Sequence, residues 1–74
     1  MKITVYTKNN CPQCMLTKRF LDEHQLSFKE INLNEHPEEV DALIAEGFQQ
    51  APIVKIDNGT SFSGFQPDQL EKLL

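Results

Sequence analysis

An α/β fold is what this chain of 74 residues predicts: the element order β-α-β-α-β-β-α, closing into a mixed four-stranded sheet flanked by three helices. Three observations carry that expectation. A strand-type opening is followed at once by a helix-period segment and a second apolar strand, and such a unit makes a parallel, right-handed pair. Asp57-Asn58-Gly59 separates two short runs of strand-type residues near the end, which is a hairpin signal and makes those strands antiparallel. No repeat or Gly/Pro/Ser-rich linker divides the order, so residues 1–74 are expected as one domain.

The first strand is read over Lys2 to Thr7, where Ile3, Val5 and Tyr6 supply β-branched and aromatic side chains. Lys8-Asn9-Asn10 breaks it. A helix is expected from Pro12 to Gln25, because Cys14, Leu16/Thr17, Phe20/Leu21 and His24 recur at helical spacing. Pro12 suits its first position, where a backbone N–H would lack a partner in any case. Leu26 to Leu33 reads as the second strand, with Leu26, Phe28, Ile31 and Leu33 as apolar members; the alternation breaks between Phe28 and Ile31.

A turn at Asn34-Glu35-His36-Pro37 opens the second helix, with Asn34 or His36 as cap and Glu38 and Glu39 at the positive end of its dipole. Val40, Leu43, Ile44 and Phe48 are expected as its buried stripe, and Gly47 as its C-terminal cap. Ile53 to Ile56 is the third strand and Thr60-Ser61-Phe62 the fourth, which Gly64 ends. Pro67 starts a short last helix whose apolar members are Leu70, Leu73 and Leu74.

Composition narrows the function classes. Hydrophobic residues make up 39% of the chain and include five Phe, enough for a small core. A net charge of −4 argues against binding nucleic-acid phosphates. No apolar run reaches the roughly 18 residues that a membrane helix needs. The opening lacks the apolar core of a signal peptide, so a cytoplasmic location is expected. The charge is uneven: residues 1–29 carry a net +3 and residues 30–74 a net −7. Lys8, Lys18 and Arg19 are read as a positive surround for the cysteines, with ordinary solvated faces as the plainer alternative.

Cys11-Pro12-Gln13-Cys14 holds the only two cysteines. A bridge between them encloses four residues, so the chain-entropy model gives it only roughly 2 kcal/mol. The pair therefore reads as a working dithiol rather than a brace, and in a reducing compartment such a disulfide is transient and catalytic. At the N-cap of the first helix, the Cys11 sulfur would accept hydrogen bonds from the N–H groups of Gln13 and Cys14 and face the positive helix end; both effects lower its pKa. Cys14, one turn inside, is expected to stay a partly buried thiol. Cys11 then attacks a substrate disulfide and Cys14 resolves the mixed disulfide. A zinc site would need His24 and His36, but nine and eleven intervening residues do not match finger spacing. No metal and no bound cofactor beyond the Cys11–Cys14 disulfide are expected.

The layout is thioredoxin-like, of the glutaredoxin type. In such a layout the segment before the third strand passes close to the dithiol, and a cis Ala51–Pro52 bond is expected there, leaving the Ala51 backbone free to pair with an extended substrate. Phe65 is expected at the rim of the site, where Gly64 allows close backbone approach.

The chain resembles glutaredoxin-like redoxins and is most similar to the NrdH-redoxin family. The resemblance rests on Val5-Tyr6-Thr7-Lys8-Asn9-Asn10-Cys11-Pro12-Gln13-Cys14, on Ile31-Asn32-Leu33, on Gly47-Phe48-Gln49-Gln50-Ala51-Pro52-Ile53-Val54 and on Phe62-Ser63-Gly64-Phe65-Gln66-Pro67. It implies a small monomeric electron carrier that receives electrons from NADPH through thioredoxin reductase. The implied acceptor is the disulfide of the class Ib ribonucleotide reductase large subunit. Cys11 would be the nucleophile, Cys14 the resolving thiol and Pro52 the cis-proline, with Gln13 meeting partners; Lys8, Pro12, Ala51, Ser63, Gly64 and Phe65 are expected beside them in the partner-binding site. Three residues depart from the family's pattern. Pro12 stands where many members have Met or Val, Phe62 where many have Trp, and Gln66 where many have Arg.

A glutathione-dependent glutaredoxin uses the same thiols but shows a Gly-Gly pair followed by Asp, whereas Ser63-Gly64-Phe65-Gln66-Pro67-Asp68 has one Gly with Phe after it. Lys8 would still meet a glutathione carboxylate in that reading. From other classes come a metal or iron–sulfur module sharing Cys11 across a dimer, and an interaction domain with a vestigial dithiol.

Overall fold

The computed structural model describes residues 1–74. Strand β1 covers Ile3–Thr7, and helix α1 follows over Pro12–Glu23. Strand β2 covers Lys29–Asn32, a single 3-10 turn covers Pro37–Glu39, and helix α2 covers Val40–Ala45. Strands β3 at Ile53–Ile56 and β4 at Ser61–Ser63 form the hairpin, and helix α3 covers Pro67–Glu71. The sheet order is β2-β1-β3-β4. β1 pairs with β2 in parallel (Tyr6 opposite Ile31) and with β3 antiparallel (Val5 opposite Val54), and β4 pairs antiparallel with β3 (Val54 opposite Phe62). The mixed four-stranded sheet with three helices is the predicted thioredoxin-like fold.

Strand alternation sorts the core into two layers. Ile3, Val5, Val54, Ile56 and Phe62 form one cluster with Leu21 of α1 and Leu70 of α3. Ile53 joins Leu33 and Leu43 of α2 in a second cluster, against which Tyr6, Val40 and Phe48 pack. The break in alternation around β2 now has a cause. Only four residues are strand, so Leu26 and Phe28 pack on the first cluster before pairing begins, while Leu33 serves the second after it ends.

Several expectations are corrected. α1 stops at Glu23, and Gln25 takes a left-handed φ of 58° beyond it. Gln25 and Leu26 donate to the carbonyls of Asp22 and Leu21, the paired bonds of a Schellman end. The second helix begins as a 3-10 turn with His36 at its N-cap position, but neither the His36 nor the Asn34 side chain makes a capping bond there. His36 Nδ1 instead meets Glu38 Oε2 at 3.1 Å. Ile44 is 60% exposed, so it lies outside the buried stripe. A six-residue helix shows the sheet only a narrow strip, and Leu43 takes most of it. Leu74 is likewise exposed. Gly47 does end α2, at φ 96° and with the same Schellman pair of bonds.

Candidate active site

The loop after β1 delivers Cys11 to the start of α1. Cys11 is extended (φ −116°, ψ 99°) and is the N-cap, with Pro12 directly after it. Its Sγ accepts from the Cys14 N–H at 3.1 Å. The second bond expected from Gln13 N–H is absent, so one donor serves the sulfur. Cys11 and Cys14 are joined in a disulfide with Cα atoms 5.2 Å apart. Cys14 is 1% exposed, while Cys11 is half-buried and reachable from outside. One sulfur is therefore open to attack and the other sealed behind it.

On the opposite wall, the Ala51–Pro52 bond is cis, as the layout predicts. The Ala51 carbonyl oxygen lies 4.0 Å from Cys11 Sγ, and the Ala51 N–H has no partner in the chain. Gly64 N–H donates to the Pro52 carbonyl at 2.8 Å, tying the next loop to this wall. Gly64 holds a left-handed φ of 81°. A Cβ there would stand 3.6 Å from Gln13 Oε1.

Gln13 does more locally than was read from sequence. Its Oε1 accepts from the Phe65 N–H at 3.1 Å, closing the site along its third side. The Phe65 ring is half-buried and packs against the α1-side cluster rather than standing fully at the rim. Ser63 ends β4, and its carbonyl accepts from Gln66 Nε2 at 2.6 Å. Gln66 thus braces this loop with a neutral bond, and Phe62 is buried in the core.

The expected cationic surround is largely neutralised. Lys18 pairs with Glu30 at 3.1 Å and Arg19 with Glu23 at 2.8 Å. The Thr7 hydroxyl donates to Glu30 Oε2 at 2.7 Å. That bond is the main cause holding the Glu30 carboxyl below its ordinary range; desolvation opposes it, and the hydrogen bond and charge of Lys18 add to it. Lys8 has no ion-pair partner. It lines a groove of about 80 Å³ beside Ala51, walled by Leu33, Val40, Leu43, Ile44, Phe48 and Ile53. Gln49 and Gln50 complete its lining. The His24 and Phe20 rings pack with centroids 4.3 Å apart at a tilt of 44°, and no group of three or more His, Cys, Asp or Glu is placed to hold a metal ion.

Sequence reading missed one constellation. Asn9 N–H donates to Asn34 Oδ1 at 2.7 Å, and Asn32 Nδ2 donates to Asn9 Oδ1 at 3.0 Å. Asn32 Oδ1 in turn accepts from the N–H groups of Asn34 (2.8 Å) and Glu35 (3.3 Å). The available signal was Asn32-Leu33-Asn34 at the end of a strand, since Asn side chains close such turns on backbone N–H groups.

A family model described as Glutaredoxin matches residues 3–60. The chain is 49% identical over 71 residues to the glutaredoxin-like protein NrdH of Lactococcus lactis subsp. cremoris, covering 96% of this chain and 97% of that one. It is 45% identical over 73 residues to the NrdH protein of Escherichia coli K12, covering 99% and 89%. The solved glutaredoxin-like NrdH-redoxin from Escherichia coli, described as having a thioredoxin-like activity profile, superposes with a TM-score of 0.94 at 43% identity. That match covers 100% of this chain and 96% of the other.

Proposed function

This chain belongs to the glutaredoxin family, with NrdH proteins as its relatives, and we propose that it is a cytoplasmic dithiol carrier between thioredoxin reductase and class Ib ribonucleotide reductase. Its general class, a glutaredoxin-like redoxin with a Cys11–Cys14 disulfide, rests on the family match and on the bond itself. One observation carries the mechanism: an open sulfur at a helix start, bonded to Cys14 N–H and facing the Ala51 carbonyl, with a sealed sulfur behind it.

In the reduced carrier, the Cys14 N–H and the positive helix end favour Cys11 as thiolate. Its sulfur attacks one sulfur of the partner's disulfide, and the partner's other sulfur leaves with the electron pair and takes up a proton. The Ala51 N–H and carbonyl hold the partner's chain extended across the site. Cys14 then loses its proton and attacks Cys11 Sγ, so the Cys11–Cys14 disulfide forms and the partner departs as a dithiol. Two electrons have passed to the partner. Thioredoxin reductase restores them by the same exchange in reverse, reducing the Cys11–Cys14 disulfide.

The reductase-fed reading is supported by the thioredoxin-like activity profile stated for the Escherichia coli relative. It is also supported by the loop after β4, where Phe65 N–H is already occupied by Gln13 and no Gly-Gly-Asp follows. The test couples the protein to NADPH consumption with a small disulfide, comparing thioredoxin reductase with glutathione plus its reductase. Turnover in the first arm is expected, and turnover confined to the second overturns the reading. Cys11→Ser abolishes turnover in either arm, whereas Cys14→Ser still forms a mixed disulfide and accumulates it, visible as a covalent adduct on a non-reducing gel.

A further inference from the structure

Cys11 is reached from β1 through three residues, Lys8, Asn9 and Asn10, and this approach is held by side chains rather than by strand pairing. Asn10 sits at a left-handed φ of 55°, a region that Asn tolerates better than most residues. Asn9, just before it, is gripped at both ends: its N–H by Asn34 Oδ1 and its Oδ1 by Asn32 Nδ2. The grip is anchored in turn, because Asn32 Oδ1 closes the turn that presents Asn34. Asn32 itself pairs with Thr7 in the sheet, and Leu33 N–H donates to the Thr7 carbonyl at 2.7 Å. Three asparagines, Asn9 in the loop before α1, Asn32 at the end of β2 and Asn34 just beyond it, thus fix the chain two residues before the open sulfur.

We propose that Asn32 and Asn34 are positioning residues for Cys11, an inference that rests on the dithiol-carrier reading above. They act through Asn9. By fixing where the loop turns into α1, the clamp holds Cys11 Sγ against the Cys14 N–H and opposite the Ala51 carbonyl at once. Both contacts depend on one side-chain position; α1 holds Cys11 from one side, where Met15 N–H donates to the Cys11 carbonyl at 3.1 Å, and the clamp holds the chain on the other. With the clamp released, the left-handed turn at Asn10 loses its support and Cys11 moves off the N-cap. Its thiolate then loses the helix N–H that favours it, and the thiol becomes less reactive near neutral pH. The bonds are exposed, so the clamp contributes modestly to overall stability and mainly to geometry.

The test is alkylation of the fully reduced protein by iodoacetamide, followed across pH, in Asn34→Ala and Asn34→Asp. Asp keeps an oxygen to accept from Asn9 N–H. Asn34→Ala is expected to react several-fold more slowly at neutral pH, with its profile moved to higher pH, and Asn34→Asp to regain most of that loss. An Asn34→Ala profile that overlays the parent, whatever happens to its unfolding midpoint, overturns the proposal and leaves the clamp a structural feature. Should Asn34→Ala fail to fold, Asn9→Ala removes the other limb and is read in the same way. Alkylation uses no redox partner, so this outcome is separate from the reductase comparison: the carrier reading can fail there while the profile still shifts here.

Discussion

Glu30 joins three elements through single atoms, with Thr7 of β1 donating to it and Lys18 of α1 paired with it from above. Thr7 is fully buried, and this bond satisfies its hydroxyl. The folded-state pKa of Glu30 is depressed, so its stabilisation is present above the unfolded-state value and is lost as pH falls through the folded one. Glu30→Gln should therefore lower stability at pH 7 by about 0.5–1 kcal/mol, a range already discounted for solvent screening of a part-exposed pair. The gap between variant and parent should close as pH falls from 4.5 downward. Urea unfolding at a series of pH values checks both points, and a gap that persists in acid would show that packing rather than charge is responsible. Glu38 is depressed for a different reason, its own backbone N–H and then His36, and stands fully exposed.

The ends of the elements were the least legible part of the sequence. Gly47 announced a left-handed helix stop because only glycine adopts that conformation without penalty. The end of α1 uses the same geometry with Gln25, whose side chain gives no such signal, and a reading by periodicity alone ran on through it. That choice has a measurable cost. Gln25→Gly should raise stability by about 0.5–1 kcal/mol, the relief of backbone strain less the extra freedom of glycine in the unfolded chain. An unchanged or lower urea midpoint would mean that Gln25 contributes a contact which offsets its strain. The first turn of α1 was readable for the opposite reason: Cys11-Pro12 states its cap and its first residue outright. The asparagine clamp was hidden because it joins residues 23 to 25 positions apart, a distance no local pattern spans. The cationic surround was misread for a related reason, since Glu30 reaches Lys18 only after the sheet and α1 have packed.

At the scale of the molecule, the two helix layers are unequal. α1 and α3 share the larger cluster, and α3 is tied to it chiefly through Leu70, which is fully buried. Leu70→Ala should cost about 2–5 kcal/mol, as buried Leu truncations do. A chain of 74 residues holds roughly 4–11 kcal/mol in total, so the variant sits near the edge of folding. A large drop in Tm is expected; a shift of only a degree or two would mean that α3 is dispensable to the core. The element order and the α1-side core were legible, since the β-branched run of β1, the apolar run of β3 and the period of α1 agree with each other. The α2 layer was less so, because a helix of six residues shows too little period to reveal which side faces in.

On the proposed mechanism, the unpartnered N–H of Ala51 and its carbonyl facing Cys11 carry a consequence for selectivity. Peptide groups are common to every polypeptide, so a wall made of them grips any extended segment equally and distinguishes none. Choosing among client proteins must then fall to side chains flanking that wall, where Lys8, Gln49 and Gln50 stand beside an apolar strip. On that reading chemistry and discrimination fall to separate surfaces, and partner preference would be altered at Lys8, Gln49 and Gln50 without touching the sulfurs.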